Sequence, residues 1–452
     1  MNTHNLTKSE MVKKAIEVAW PAVLESFFIV LAGLIDTMMV ATMGPYAVSA
    51  VGLTAQPKFL GLAAFISINV AVSALVARRK GEENREGANQ VLVTAFLLAM
   101  ALCAVISILF VVFTPSFMRW AGSNADTHDA AVIYFRVIMG GMIFNVISMT
   151  INSAQRGSGY TRISMTTNLT SSIVNIIFNY LLIGGHFGFP KWGIFGAAFA
   201  TVLGTVVAAV MSFASLYRKK SYVSMPFILK RRIRPAPEIL LSIRPIAVSM
   251  FWENIAMRVG FLTTAVIAAR LGTDTFAAYN VGMNLLGLAF SFADGMQAAA
   301  VALSGESLGA GEKEQAKQYA GICQRIGFFI SMCLSAFLFL GGRWFFGLYF
   351  PNDPHIIDYG VLICRYMTVI VLLQISQIIF TACLRAAGDA GYTLRTALIS
   401  CTVIRSLVTI LAVLILHLGL HGIWIGILSD QLTRFILNGW RFKQGKWVDL
   451  KI

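Results

Sequence analysis

The chain has 452 residues, of which 57% are hydrophobic and 13% charged, and its mean hydropathy is +0.73. A soluble globular domain carries about 25% charged residues, so the composition excludes one and specifies an integral membrane protein. The formal net charge of +15 would suit a nucleic-acid binder, but the basic residues are confined to particular connections between apolar blocks, so no nucleic-acid partner is expected.

Twelve apolar blocks of about 20 residues are predicted to cross about 30 Å of hydrocarbon as helices. They lie near 17–42, 52–77, 91–113, 131–155, 163–184, 193–216, 243–270, 276–305, 321–341, 358–383, 394–416 and 421–440. The stretch before the first is short and polar and the first block is long, so no cleavable signal peptide is expected.

The first block carries one carboxylate, Asp36, in "LAGLIDTMMV". An ionised Asp at the centre of a membrane helix costs roughly 2.5–3.5 kcal/mol on insertion scales, so such an acid points to function and to the interior of the helix bundle. At about 1.5 Å of rise per residue, Asp36 lies about 10 Å below the outer boundary, within reach of outside protons through a modest cavity. A packing role with the acid held by hydrogen bonds is the alternative. Met38 and Met39 beside it would suit a pliable apolar substrate path, although such side chains also pack or face lipid. Glu25, nearer the inner face, is a candidate for the vestibule where cationic solutes enter, or for inter-lobe or lipid-headgroup pairing.

Asn175 and Asn179 lie one turn apart on the fifth block, and Thr201 lies on the sixth. Their oxygens could serve Asp36 in taking up a proton or a cation; hydrogen bonding between helices accounts for them equally well. The basic, proline-bearing stretch 217–242 then divides the helices six and six, and is read as a cytoplasmic linker between lobes at 1–216 and 243–452. In the second half, Glu253, Asp294 and Gln297 join Glu25 as candidates for the substrate path. Arg258 and Arg365 are intramembrane bases that need partners, and Arg156 and Arg385 are read as capping helix ends or touching lipid phosphate.

The N-terminus and every second connection hold 27 Lys and Arg, against four in the opposite connections. That asymmetry puts both termini in the cytoplasm. The six cysteines lie in or beside helices without paired spacing and are read as small apolar packing residues. No phosphate-binding loop, metal-ligand spacing or nucleophile elbow occurs, so neither an enzyme, an ATP-driven pump nor a cofactor is expected.

The halves resemble each other. "ATMGPYAVSAVGL" (41–53) matches "ARLGTDTFAAYNVGM" (269–283), "SAQRGSGYT" (153–161) matches "ACLRAAGDAGYT" (382–393), and "WGIFGAAFAT" (192–201) matches "HGIWIGILSD" (421–430), all at offsets near 230 residues. Six helices per copy is an even number, so both copies insert in the same sense, related by a pseudo-twofold along the membrane normal. Glu25 and Glu253 are repeat-equivalent. Asp36 has Thr264 as its counterpart, so it is a charge present in one lobe alone and the better candidate for coupling.

"WPAVLESFFIVLAGLIDTMMVATMGPYAVSAVG", "LRAAGDAGYTLRTA" and the parallel six-plus-six repeat resemble the MATE (multidrug and toxic compound extrusion) transporters, in particular their DinF-like branch. The resemblance implies an all-α membrane protein of 12 transmembrane helices in two six-helix lobes. It also implies alternating access and export of amphipathic, cationic compounds against protons or sodium across the plasma or inner membrane, hence drug resistance. It carries the family's first-helix acid onto Asp36. Many members have an N-x-x-x-D motif on the fifth helix, where this chain has Asn175 and Asn179; loss of that second carboxylate favours proton over sodium coupling, because hard cations prefer carboxylate oxygens. The expected partners are small-molecule cations and membrane lipids, with the chain acting as a monomer. A lipid-linked or polysaccharide flippase of the same superfamily is the alternative.

Overall fold

A computed structural model describes residues 7–218, 221–350 and 353–450; Lys219 and Lys220 of the expected linker lie outside them. Among the described residues there is no strand. The long helices are α1 (Lys8–Ala41), α2 (Pro45–Gly81), α3 (Arg85–Val112), α4 (His128–Gly140 continued by Met142–Gly157), α5 (Thr161–Gly184) and α6 (Gly193–Ser215). Then come α7 (Pro237–Arg270), α8 (Thr273–Gly309), α9 (Lys313–Tyr349), α10 (Pro354–Ala386), α11 (390–415) and α12 (Leu420–Lys443). Nine of these are long and apolar enough to cross a membrane, and α4 makes a tenth as a pair bent by 46° at Gly140–Gly141. Gly141 fits there because a Cβ would meet the Val202 methyls at 2.6 Å, and a glycine pair is a recognised site of kinking.

The remaining two, α5 and α12, have 24 residues each. They are less apolar because they carry polar side chains that the fold turns inward: Asn179 on α5, and Asp430, Gln431, Arg434 and Asn438 on α12, are all buried. In membrane interiors such groups are tolerated only where protein partners satisfy them. α11 departs from α-helical geometry, with π-helical turns over Leu398–Arg405 and Leu411–Ile415. Such turns are rare and cluster at functional sites.

The chain packs as two compact units, one of Leu24–Ala247 and one of Met1–Val23 with Val248–Ile452. The division between these units falls inside α1 and α7. Pro21 and Pro245 lie just ahead of these two points and remove one backbone hydrogen bond from each helix. The described part of 217–242 is fastened to the Leu24–Ala247 unit. Arg85 donates to the Tyr222 and Ser221 carbonyls at 3.0 and 3.1 Å, Asn89 Oδ1 accepts from the Ser224 N–H at 2.9 Å, and Thr94 Oγ1 accepts from the Ala236 N–H at 3.1 Å. A segment read as a linker thus has its backbone groups satisfied by the start of α3.

The repeat is visible in the backbone: α2 and α8 each follow a glycine at positive φ, Gly44 at 111° and Gly272 at 120°, conformations costly for any residue with a Cβ. Of the cysteines, five are buried as expected; Cys333 is exposed.

Candidate functional site

Within the Leu24–Ala247 unit, five helices converge on Asp36. α1 presents the half-buried acid little more than a turn before its end. The amide Nδ2 of Asn179, a fully buried residue of α5, donates to Asp36 Oδ1. The Asn179 Oδ1 has no hydrogen-bond partner. One turn earlier, Asn175 Nδ2 donates to Thr201 Oγ1 of α6 at 3.1 Å, and that hydroxyl donates to the Ala197 carbonyl at 3.0 Å. Tyr134, buried on α4, stands beside both Asp36 and Thr201. The four residues read from the sequence, Asp36, Asn175, Asn179 and Thr201, thus form two adjacent hydrogen-bonded pairs on α1–α5 and α5–α6.

Sequence reasoning missed the contributions of α4, through Tyr134, and of α2. Lys58, in the middle of α2, interacts electrostatically with Asp36 without a direct ion pair, and it lines a cavity of about 80 Å³ with Asn145, Thr201 and Thr205. The signal was available, since a lone base in an apolar helix calls for the same explanation as a lone acid. Beside Asp36, Met38 is 70% exposed, whereas Met39 packs against Val40, Tyr134 and Ile183.

Glu25 and Glu253 are buried in repeat-equivalent ion pairs, each within its own unit. Glu25 meets Arg156 at 3.0 Å and accepts from Ser164 at 2.8 Å and Asn168 at 2.6 Å. Glu253 meets Arg385 at 2.7 Å and accepts from Thr393 at 3.3 Å, and Arg385 also donates to Gln297 at 3.1 Å. This corrects the reading of Arg156 and Arg385 as helix caps or lipid contacts: each neutralises the buried glutamate of its own half. Asp294 is exposed on α8, and Arg365, read as an intramembrane base, is exposed on α10.

The place equivalent to the Asp36 site in the other unit is built with its roles exchanged. Asp36 corresponds to Thr264 on α7, and Thr201 corresponds to Asp430 on α12, so acid and hydroxyl have traded positions. Here Arg405, wholly buried on α11, donates to Thr264 Oγ1 at 3.1 Å, lies 3.6 Å from Asp430, and stacks over Phe261 at 4.6 Å. Arg434 adds a second guanidinium, donating to Asp430 at 2.9 Å and to Ser400 at 3.0 Å. Breaking a buried ion cluster of this kind costs more than forming it gains.

The MatE family model matches the chain twice, over residues 21–181 and 245–411, once in each half. The chain belongs to the MatE family. It is accordingly a multi-pass membrane transporter rather than an enzyme. Among its relatives, the probable multidrug resistance protein NorM of Thermotoga maritima is 25% identical over 97% of this chain and 93% of that protein. The uncharacterised transporter YisQ of Bacillus subtilis is 24% identical over 95% of this chain and 94% of that one. A crystal structure of MATE in complex with MaL6 superimposes with a TM-score of 0.88 at 25% identity, covering 96% of this chain and 97% of the other. The all-α, twelve-helix, two-lobed class read from the sequence is the fold of these proteins.

Proposed function

We propose that this transporter is a secondary multidrug exporter of the plasma or inner membrane, moving amphipathic organic cations outward as protons move inward, with Asp36 as the coupling carboxylate. The observation that carries the reading is the setting of Asp36: the acid is hydrogen-bonded by a buried amide and interacts with an intramembrane base, Lys58, that lines a small cavity. A carboxyl so enclosed can exist with or without its proton, and each form changes the net charge of the cluster by one. Family membership and relatives named as probable multidrug resistance proteins support the substrate class. Proton coupling is favoured over sodium because the polar groups nearest Asp36 and Thr201 are amide N–H donors, whereas a hard cation requires several oxygens. Both termini are assigned to the cytoplasm, and the chain is taken to act as a monomer without a cofactor.

The test is export of a fluorescent cation from proteoliposomes under an imposed proton or sodium gradient. The wild type is expected to respond to the proton gradient, and Asp36→Asn to lose at least about 90% of that response, as removal of an obligatory carrier of the coupling charge requires. Sodium drive in the wild type, or a fully active Asp36→Asn, would overturn the assignment.

A further inference from the structure

We propose that Lys58 is a built-in cation that competes with the coupling ion for Asp36, and that it keeps sodium out of the site. The inference rests on Asp36 being the coupling carboxylate. Among the described residues, Lys58 is the base that interacts with this acid from the helices packed around it: α4 contributes Tyr134, α5 contributes Asn175 and Asn179, and α6 contributes Thr201.

Three observations carry the argument. First, among the described residues, Lys58 and Asp36 interact electrostatically but form no direct ion pair, and Lys58 lines a cavity. A lysine on a four-carbon stem has rotatable donors and can swing between two positions, which a forked, stacked guanidinium does not do. Second, the Asn179 Oδ1 is buried without a partner next to Asp36. An ammonium, with three N–H donors and no acceptor, can satisfy that oxygen and the carboxylate together. A sodium ion would seek the same two oxygens. Third, the repeat-equivalent place in the other unit already holds a resident cation: Arg405 donates to Thr264 and lies against Asp430. One fold thus carries two forms of the same arrangement, one closed by arginine and the other guarded by a displaceable lysine.

The two candidate ions meet this guard differently. A proton neutralises Asp36 without needing room or ligands, which releases the ammonium toward the cavity. Sodium must settle beside a like charge and replace three hydrogen-bond donors with itself. The exclusion is electrostatic and depends on the charge of Lys58 rather than its shape.

Equilibrium binding of radiolabelled sodium to the purified full-length protein tests this. The wild type and Lys58→Arg are expected to bind weakly. Lys58→Met and Lys58→Gln are expected to bind about tenfold or more tightly, since removing one like charge a few ångströms away is worth at least that factor. Adding Asp36→Asn to Lys58→Met should abolish the gain. Neutral variants that bind sodium no better than the wild type, or a gain that survives Asp36→Asn, would overturn the proposal; with two neutral variants and one charged one, misfolding of a single protein does not obscure the result. Binding also separates this inference from the exporter reading. A sodium site that appears in Lys58→Met of a protein that exports nothing sinks the exporter and leaves the guard standing, whereas proton-driven export with sodium-blind neutral variants does the reverse.

Discussion

Glu253 and Arg385 show what single residues decide here. Each is nearly inaccessible, they meet at 2.7 Å, and Arg385 also donates to Gln297 while Glu253 also accepts from Thr393. Removing one partner strands the other as a buried charge, so Glu253→Gln is expected to lower stability by about 3–5 kcal/mol. The double variant Glu253→Gln with Arg385→Met should recover part of that loss, read as the midpoint of thermal unfolding in detergent. Equal destabilisation by the single and double variants would mean that the pair is not coupled. The sequence offered both members of this pair and of its twin, Glu25 with Arg156, as repeat-equivalent positions. It could not join them, because acid and base are 131 and 132 residues apart and only the packing of α1 on α4 and of α7 on α10 brings them together. Asp36 was legible for a different reason: its cost in hydrocarbon is a property of the residue and its helix alone.

At the scale of elements, polarity and glycine determine how close helices approach. α5 and α12 are the two that are not apolar enough to count as membrane spans by composition, and their buried amides, acid and base hydrogen-bond to neighbouring helices, as expected where lipid is as apolar as the helix surface. At the inner end of α4, a Cβ on Gly157 would run into the backbone carbonyl of Ser73 on α2. Gly157→Ala should therefore push these helices apart and lower stability by about 1–3 kcal/mol, with a matching drop in the folded, monodisperse fraction on size exclusion. A variant as stable as the wild type would show that α2 and α4 can separate without loss. The bend of α4 was not legible: the apolar run 131–155 reads as one span, and a glycine pair breaks a helix only where a neighbour, here Val202, occupies the space.

For the whole molecule, the repeat is the organising fact. The family model matches once per half, the glycine starts of α2 and α8 are equivalent, and the buried glutamate–arginine pairs recur. The charge asymmetry between alternate connections is expected to put the α3–α4 connection outside and the end of α12 inside. In a cysteine-free background, an impermeant maleimide should label Asp126→Cys on intact cells and Gln444→Cys only after permeabilisation; both positions are exposed. The opposite pattern would invert the topology and place Asp36 near the cytoplasm, where it could not take protons from outside.

Hydrophobic block length, the excess of Lys and Arg in alternate connections and the internal repeat determined from sequence alone that this is a twelve-helix membrane protein in two related halves with one conspicuous acid. These are properties of local composition and of order along the chain, which the membrane converts directly into helices and topology. The tertiary structure decided where the charges go. It paired Glu25 with Arg156 and Glu253 with Arg385, set Lys58 beside Asp36, and gathered Arg405 and Arg434 around Asp430. Each of these depends on which helix faces lie against one another, and that is settled by the packing of the folded unit rather than by any stretch of sequence.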